Sequence, residues 1–247
     1  MLRQPRHAIG AKGKTGRTNG RRIRLALFDI DGTLIHTHGV GVQAFGRTLE
    51  FEFQCPDVSH RMRFGGRTDP SLVREVFHHA DIEHSEQNVI RFFDSYIFWL
   101  DHLLTESGKG GPCAGVHGFL DGLRSLSQPP SIGLLTGNIR LGAEIKLRHF
   151  GLWDTFSMGA FGDDHEDRNQ IAAIALERGR ALLGETLHPE EVLVIGDTPR
   201  DVECGRAIGA RVLAVATGGA KEDELRASKP DWLVPTLEAA DLQSICC

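Results

Sequence analysis

The 247-residue chain has no apolar stretch of membrane-spanning length, no CxxC pair, no internal repeat and, in its first 24 residues, no acid. Each absence removes a class. Without about 20 consecutive apolar residues no helix crosses a bilayer, so no membrane partner is expected. The five cysteines (Cys55, Cys113, Cys204, Cys246, Cys247) are odd in number and scattered. They read as free thiols in a reducing compartment, with the terminal pair incidental. The N-terminus lacks the apolar segment of a secretory signal, and the expected location is cytoplasmic.

The net charge of -5 hides an asymmetry. Residues 1–24 carry eight Lys/Arg, and the remainder carries 20 basic against 33 acidic residues. So acidic a body argues against nucleic acid as a partner, since its footprint is a basic face. Residues 1–21 are rich in Gly and Lys/Arg and poor in large apolar side chains, which predicts a disordered basic tail. Within it, Gly10-Ala11-Lys12-Gly13-Lys14-Thr15 is not a phosphate loop: Ala8 stands where that motif needs glycine, and no strand precedes it.

What is present begins with Asp29-Ile30-Asp31-Gly32-Thr33 at the end of the apolar run Ile23–Ile30. Carboxylates two residues apart on an extended chain point to the same side. Two like charges where a strand gives way to a loop are costly unless something cationic neutralises them, and a divalent metal with a basic side chain would do so. A calcium loop starting at Asp29 fails at Thr33, Leu34 and Val40, none of which fits the required pattern.

From about Gly39 to Gly111 the spacing is helical: Val42/Phe45/Leu49, then Leu72/Val73/Val76/Phe77 after an Asp69-Pro70 start, then a long run over Val89–Leu104 whose Phe/Trp stripe reads as core. His78, His79, His84 and His102 in this region read as solvated. From Val116 onward helices at 119–126, 139–150, 171–183 and 202–208 alternate with strands at 131–135, 156–161, 191–195, 212–216 and 232–234. That alternation predicts a parallel sheet covered on both faces. In such sheets ligands bind beyond the C-terminal strand ends. Three polar clusters fall there: Asp29/Asp31, Thr136-Gly137-Asn138, and Gly196-Asp197 with Asp201.

In this order the clusters resemble the motifs of the haloacid dehalogenase superfamily: DxDGT at 29–33, the apolar strand ending in Thr136, and GDxxxD at 196–201. Pro112-Cys113-Ala114-Gly115-Val116 is similar to the return segment of its phosphoglycolate-phosphatase-like branch. The resemblance spans 23–240. It implies an α/β fold: a Rossmann-like, doubly wound parallel sheet core (22–38 and 112–247) with an inserted all-helical cap of type 1 (39–111).

By the same resemblance Asp29 is the nucleophile and Asp31 the general acid and base. Mg²⁺ is held by the Asp29 and Asp197 carboxylates and the Asp31 carbonyl, with Asp201 an outer-shell partner. Thr136 binds the phosphoryl group with the backbone around Gly137 and Asn138. The third motif commonly supplies a lysine before proline, which is absent from the right region. Arg168 is the expected substitute, with Lys146 as the competitor that lies inside a helix too close to the second motif. The Gly65-Gly66-Arg67-Thr68-Asp69 turn is where the cap's specificity loop falls, making Arg67 a candidate substrate contact and equally a surface arginine. His36 and His38 read as loop residues. Asp163, Asp164, Glu166 and Asp167 read as a solvated acidic loop rather than a second metal site.

Dehalogenases of the superfamily typically lack the second aspartate, and phosphonatases use a cap lysine. Here Asp31 is present, and the sole lysine between His36 and Gly115 is Lys109, at the hinge. The resemblance therefore implies a Mg²⁺-dependent phosphatase of a small phosphorylated metabolite acting through an aspartyl-phosphate. A sugar phosphomutase is the alternative. A non-catalytic phosphate-binding scaffold would have lost Asp29, Asp31 or Asp197, and none is lost.

Overall fold

The computed structural model describes residues 21–56 and 62–247. Apart from Arg21, the expected basic tail lies outside the described residues. Strand β1 (Leu25–Phe28) is followed by the two-residue β2 (Ile35–His36), then helices α1 (Val40–Phe53), α2 (Asp69–His79) and α3 (Glu86–Ser107). Strand β3 (Gly111–Pro112) returns antiparallel to β2, so both chain crossings lie side by side. The remainder alternates: α4 (Val116–Arg124), β4 (Ser131–Leu135), α5 (Arg140–His149), β5 (Met158–Ala160), α6 (Arg168–Leu183), β6 (Val192–Gly196), α7 (Pro199–Ala207), β7 (Arg211–Val215), α8 (Glu222–Ala227), β8 (Trp232–Val234) and α9 (Leu242–Cys246).

The sheet is parallel with order β5-β4-β1-β6-β7-β8. All four residues of β1 are buried because strand alternation sends them to two covered faces. Ala26 and Phe28 join Ile132, Leu134 and Ile195 beneath α4 and α5. Leu25 and Leu27 join Val192, Val194 and Val212 beneath α6 and α7. The chain leaves β1 toward β4 on one side and later returns to β6 on the other. The crevice beyond β1 is thus the switch point where ligands of open α/β sheets bind.

The three-helix insert has a core of its own: Phe45 and Leu49 of α1, Phe77 of α2, and Phe92, Tyr96 and Leu100 of α3. Phe45 and Phe92 meet edge-to-face at 4.6 Å. Ile139, at the start of α5, belongs to this cluster as well. The turn preceding α2 is docked on the sheet side. Asp69 N–H donates to the Gly137 carbonyl at 2.8 Å, and Thr68 Oγ1 donates to the Glu166 carbonyl at 2.7 Å. Arg74 Nε reaches Glu166 at 2.8 Å.

Several expectations shift in detail. Helix α6 begins at Arg168, three residues before the apolar periodicity does, because Asp167 caps it by accepting from Asn169 N–H at 2.9 Å. Helices α8 and α9 and the β2–β3 pair are too short to show a period. Cys246 is not incidental: it is buried against the sheet, its carbonyl accepts from Ile23 N–H at 3.1 Å, and burial pushes its thiol up to about 11.

At Gly137 the insert and the sheet side approach backbone to backbone. A Cβ there would stand 2.2 Å from the Arg67 carbonyl oxygen, a backbone atom that cannot swing aside. Gly137→Ala is therefore expected to push the 65–69 turn off the sheet and cost about 1–3 kcal/mol, read as a lower urea midpoint. An unchanged midpoint would show that the turn yields freely.

Candidate active site

Asp29 continues the sheet beyond β1, its N–H donating to the Ile195 carbonyl at 2.9 Å. The chain then folds back tightly, with Leu34 and Ile35 N–H both donating to the Ile30 carbonyl. Gly32 has a φ of 87°, and a Cβ there would lie 2.6 Å from Asp197 Oδ2, so a side chain is excluded on both counts. This places Asp29 and Asp31 beside Asp197, which follows β6, and Thr136, which follows β4.

Asp29, Asp197 and Asp201 are all buried, and each offers a carboxylate oxygen within 4.8 Å of the others. One guanidinium stands among them. Arg168 Nη2 lies 2.9 Å from Asp29 Oδ1 and also donates to Asp201 Oδ1. Burial would lower the Arg168 pKa, but Asp201 and Asp29 hold it well above its ordinary value. The other oxygen of Asp201 accepts from Thr198 N–H at 2.9 Å and Thr198 Oγ1 at 2.7 Å. Asp201 is thereby fully engaged and does not line the cavity in front of the cluster. Thr33 Oγ1 donates to Asp197 Oδ1 at 3.1 Å.

Three buried carboxylates against one cation leave excess negative charge. Burial, with Asp201 adding to it and Arg168 opposing it, raises Asp29 to about 6. Burial, then Asp29 and Asp201, raises Asp197 to about 8. A hard, all-oxygen donor set with uncompensated charge fits a divalent cation. Because Asp201 is already bonded at both oxygens, Asp29 and Asp197 are the carboxylates left to hold one.

The cavity, about 400 Å³, is lined by Asp29, Asp31, Thr136, Gly137, Asn138, Arg168, Asp197 and Arg67, so these candidate residues converge. Phe45, Phe64, Leu72 and Tyr96 form an apolar wall contributed by the insert, and His36 and His38 stand at the rim. Thr136 Oγ1 accepts from Asn138 N–H at 3.3 Å and from Nδ2 at 2.9 Å. Both lone pairs are taken, so its O–H is what it offers an incoming acceptor. The Arg168 Nε–H is buried without a partner among the described residues. The amides at the start of α5 are less available than the sequence suggested: Ile139 N–H goes to Asp69 Oδ2 and Arg140 N–H to Asp163 Oδ1, each at 2.8 Å. Arg67 lines the cavity, but its guanidinium is paired with Glu75 and donates to the Ser71 carbonyl.

A model of the haloacid dehalogenase-like hydrolase family matches residues 26–215. The chain belongs to that family. A phosphoglycolate phosphatase from Synechococcus elongatus is 33% identical over 122 residues, 49% of this chain and 54% of that protein. Pyrophosphatase PpaX from Listeria innocua is 26% identical over 225 residues, covering 91% and 96% of the two chains. Among solved structures of the same fold, a predicted phosphoglycolate phosphatase from Haemophilus somnus has a TM-score of 0.71 at 21% identity, covering 90% and 97%. CbbY from Rhodobacter sphaeroides in complex with phosphate has a TM-score of 0.70 at 16% identity, covering 90% and 99%. At those identities the structural likeness is one of fold.

Two features of this family member were not anticipated. Lys146, expected to lie too close to Thr136 along the chain, is buried in the cavity wall with Nζ 2.7 Å from Asp31 Oδ2. Its signal was its place on the buried face of α5, with Gly142, Ala143 and Leu147. The acidic loop is not simply solvated. Asp163 caps α5, Asp164 pairs with Arg178, Glu166 pairs with Arg74, and Asp167 caps α6.

The raised carboxylates carry a signed consequence. An acid whose folded pKa lies above its unfolded 3.8 stabilises fully at low pH and loses that contribution as pH rises through the folded value, here from about 4 to about 8. Metal-free protein should melt lower at about pH 8 than at about pH 5.5, with a smaller drop in Asp197→Asn. Saturating Mg²⁺ should raise Tm more at the higher pH. Equal metal shifts at both pH values would contradict the assignment.

Proposed function

We propose that the chain is a phosphatase of small phosphate monoesters, with Asp29 as nucleophile and Mg²⁺ as its cation. The observation that carries this reading is Asp29 itself. It is a buried carboxylate on the cavity floor, one oxygen held by Arg168 at 2.9 Å and the other without a side-chain donor among the described residues. A cationic fork beside it and the Thr136 O–H suit a phosphoryl group better than any neutral reactant.

The Asp29 carboxylate attacks phosphorus while the bond from phosphorus to the ester oxygen breaks. Asp31, two residues on, gives its proton to the departing alkoxide. The resulting Asp31 carboxylate then takes a proton from water, whose oxygen attacks phosphorus. The bond from phosphorus to Asp29 breaks, so phosphate leaves and both aspartates are regenerated. Arg168 keeps Asp29 oriented and screens its charge from the phosphate, and Thr136 donates to a phosphoryl oxygen together with the Gly137 N–H, the Asn138, Ile139 and Arg140 amides being already engaged. Held by Asp29, Asp197 and the Asp31 carbonyl, Mg²⁺ would supply positive charge beside the phosphoryl oxygens. Asp201 positions Arg168 from behind.

The insert covers this site as a cap, and a cavity of about 400 Å³ with an apolar wall suits a small ester shielded from bulk water. The relative named phosphoglycolate phosphatase supports a small monoester, and the one named pyrophosphatase, whose substrate is an anhydride, supports only a small phosphorylated molecule. Arg67 contacts substrate only after leaving Glu75.

The test is phosphate release from p-nitrophenyl phosphate and a panel of small monoesters, with Mg²⁺ and with EDTA. Turnover is expected to require the metal and to fall about 10³-fold or more in Asp29→Asn. Asp31→Asn should slow alkyl esters about 10²–10⁴-fold. No release by folded, Mg²⁺-loaded protein would defeat the phosphatase reading, and interconversion of a sugar phosphate instead would establish a mutase.

A further inference from the structure

We propose that Lys146 is the positioning residue for Asp31, fixing which of its oxygens faces the leaving group. This rests on the phosphatase reading, in which Asp31 handles the proton. Lys146 lies on α5 and is only 4% exposed, an unusual place for an ammonium unless its donors are taken. Nζ donates to Asp31 Oδ2 at 2.7 Å and to Asn138 Oδ1 at 2.6 Å. Asn138 Nδ2 in turn donates to the same Asp31 oxygen at 2.8 Å. The three side chains close a ring, so neither the amide nor the carboxylate can turn without breaking a bond to the other two.

The consequence for Asp31 is directional. Its Oδ2 receives two donors, whereas Oδ1 has no partner among the described residues, and the side chain is 42% exposed at the cavity. Oδ1 is therefore the oxygen left to meet the leaving group. Arg168 serves Asp29 and Lys146 serves Asp31, so the two buried cations divide the two carboxylates between them. The insert roofs the ammonium: a Cβ at Gly41 would stand 3.6 Å from Nζ and 3.8 Å from the Tyr96 hydroxyl. Seating the cap thus also encloses the group that orients Asp31.

Lys146→Met keeps the stem and removes the ammonium. The readout is kcat/KM for two esters: p-nitrophenyl phosphate, whose leaving group departs without a proton, and the fastest primary-alcohol monoester of the panel, whose alkoxide needs one. The alkyl ester is expected to lose about 10–100-fold while p-nitrophenyl phosphate changes less than about threefold. Adding Lys146→Met to Asp31→Asn should cost nothing further on the alkyl ester. Equal losses on both esters, or a multiplicative loss in the double variant, would overturn the proposal. A crystal structure of Lys146→Met provides a readout independent of turnover: the Asp31 carboxylate should leave its wild-type orientation, and an unmoved Asp31 overturns the proposal. If the wild type hydrolyses neither ester, the phosphatase reading has failed, and the crystal comparison alone decides whether Lys146 sets Asp31.

Discussion

Asp29, Asp197 and Asp201 are enclosed at the C-terminal edge of the sheet around a single guanidinium, and the surrounding geometry answers to that concentration of charge. An unpaired buried charge costs several kcal/mol, so the local structure is arranged to supply partners. Helix α6 starts at Arg168, capped by Asp167, which sends the guanidinium inward from the first turn. Helix α7 starts after Thr198, which holds one oxygen of Asp201 and leaves the other for Arg168. With three carboxylates to one guanidinium the pairing is still short of neutral, and burial, with the neighbouring carboxylates, raises Asp29 and Asp197. A site that folds with a standing deficit of positive charge is primed for a cation, and with it for an anionic substrate.

Helix α5 connects this cluster to the rest of the cavity. Its Ala143 and Leu147 pack on the sheet, while Ile139 joins the core of the insert and Gly142 lies against Tyr96 and Leu100. One helix therefore serves two hydrophobic cores. The two also meet through backbone: the 65–69 turn lies on Gly137 with no room for a side chain between them. The cavity between them is walled by Phe45, Phe64 and Tyr96 from the insert and by the strand ends of the sheet, and Lys146 reaches it from the helix that both sides share.

Much of the site was legible because strand chemistry is local. Continuous apolar runs and the polar breaks at Gly32, Gly137 and Gly196 located the strand ends, and in a parallel sheet those ends share one edge. Arg168 could be chosen by charge type and position, although the usual lysine-proline pair is absent. Lys146 was set aside because it falls inside a helix and close to the second motif along the chain. Two turns of helix carry a side chain back to the same face, and a buried lysine among small apolar neighbours was the visible sign. The acidic loop was harder: Asp163, Asp164, Glu166 and Asp167 each act on a different element, and nothing in their spacing says which.

By itself the sequence determined the alternating α/β core, the helical insertion and the set of carboxylates that meet at the strand ends. Each of these follows from periodicity and from where polar residues interrupt it. Only the tertiary structure decided which cation serves which carboxylate, that the insert lies seated on Gly137, and that the Arg67 guanidinium is turned to Glu75. Those outcomes depend on burial and on competition for partners between segments far apart in the chain, and neither is encoded in local spacing.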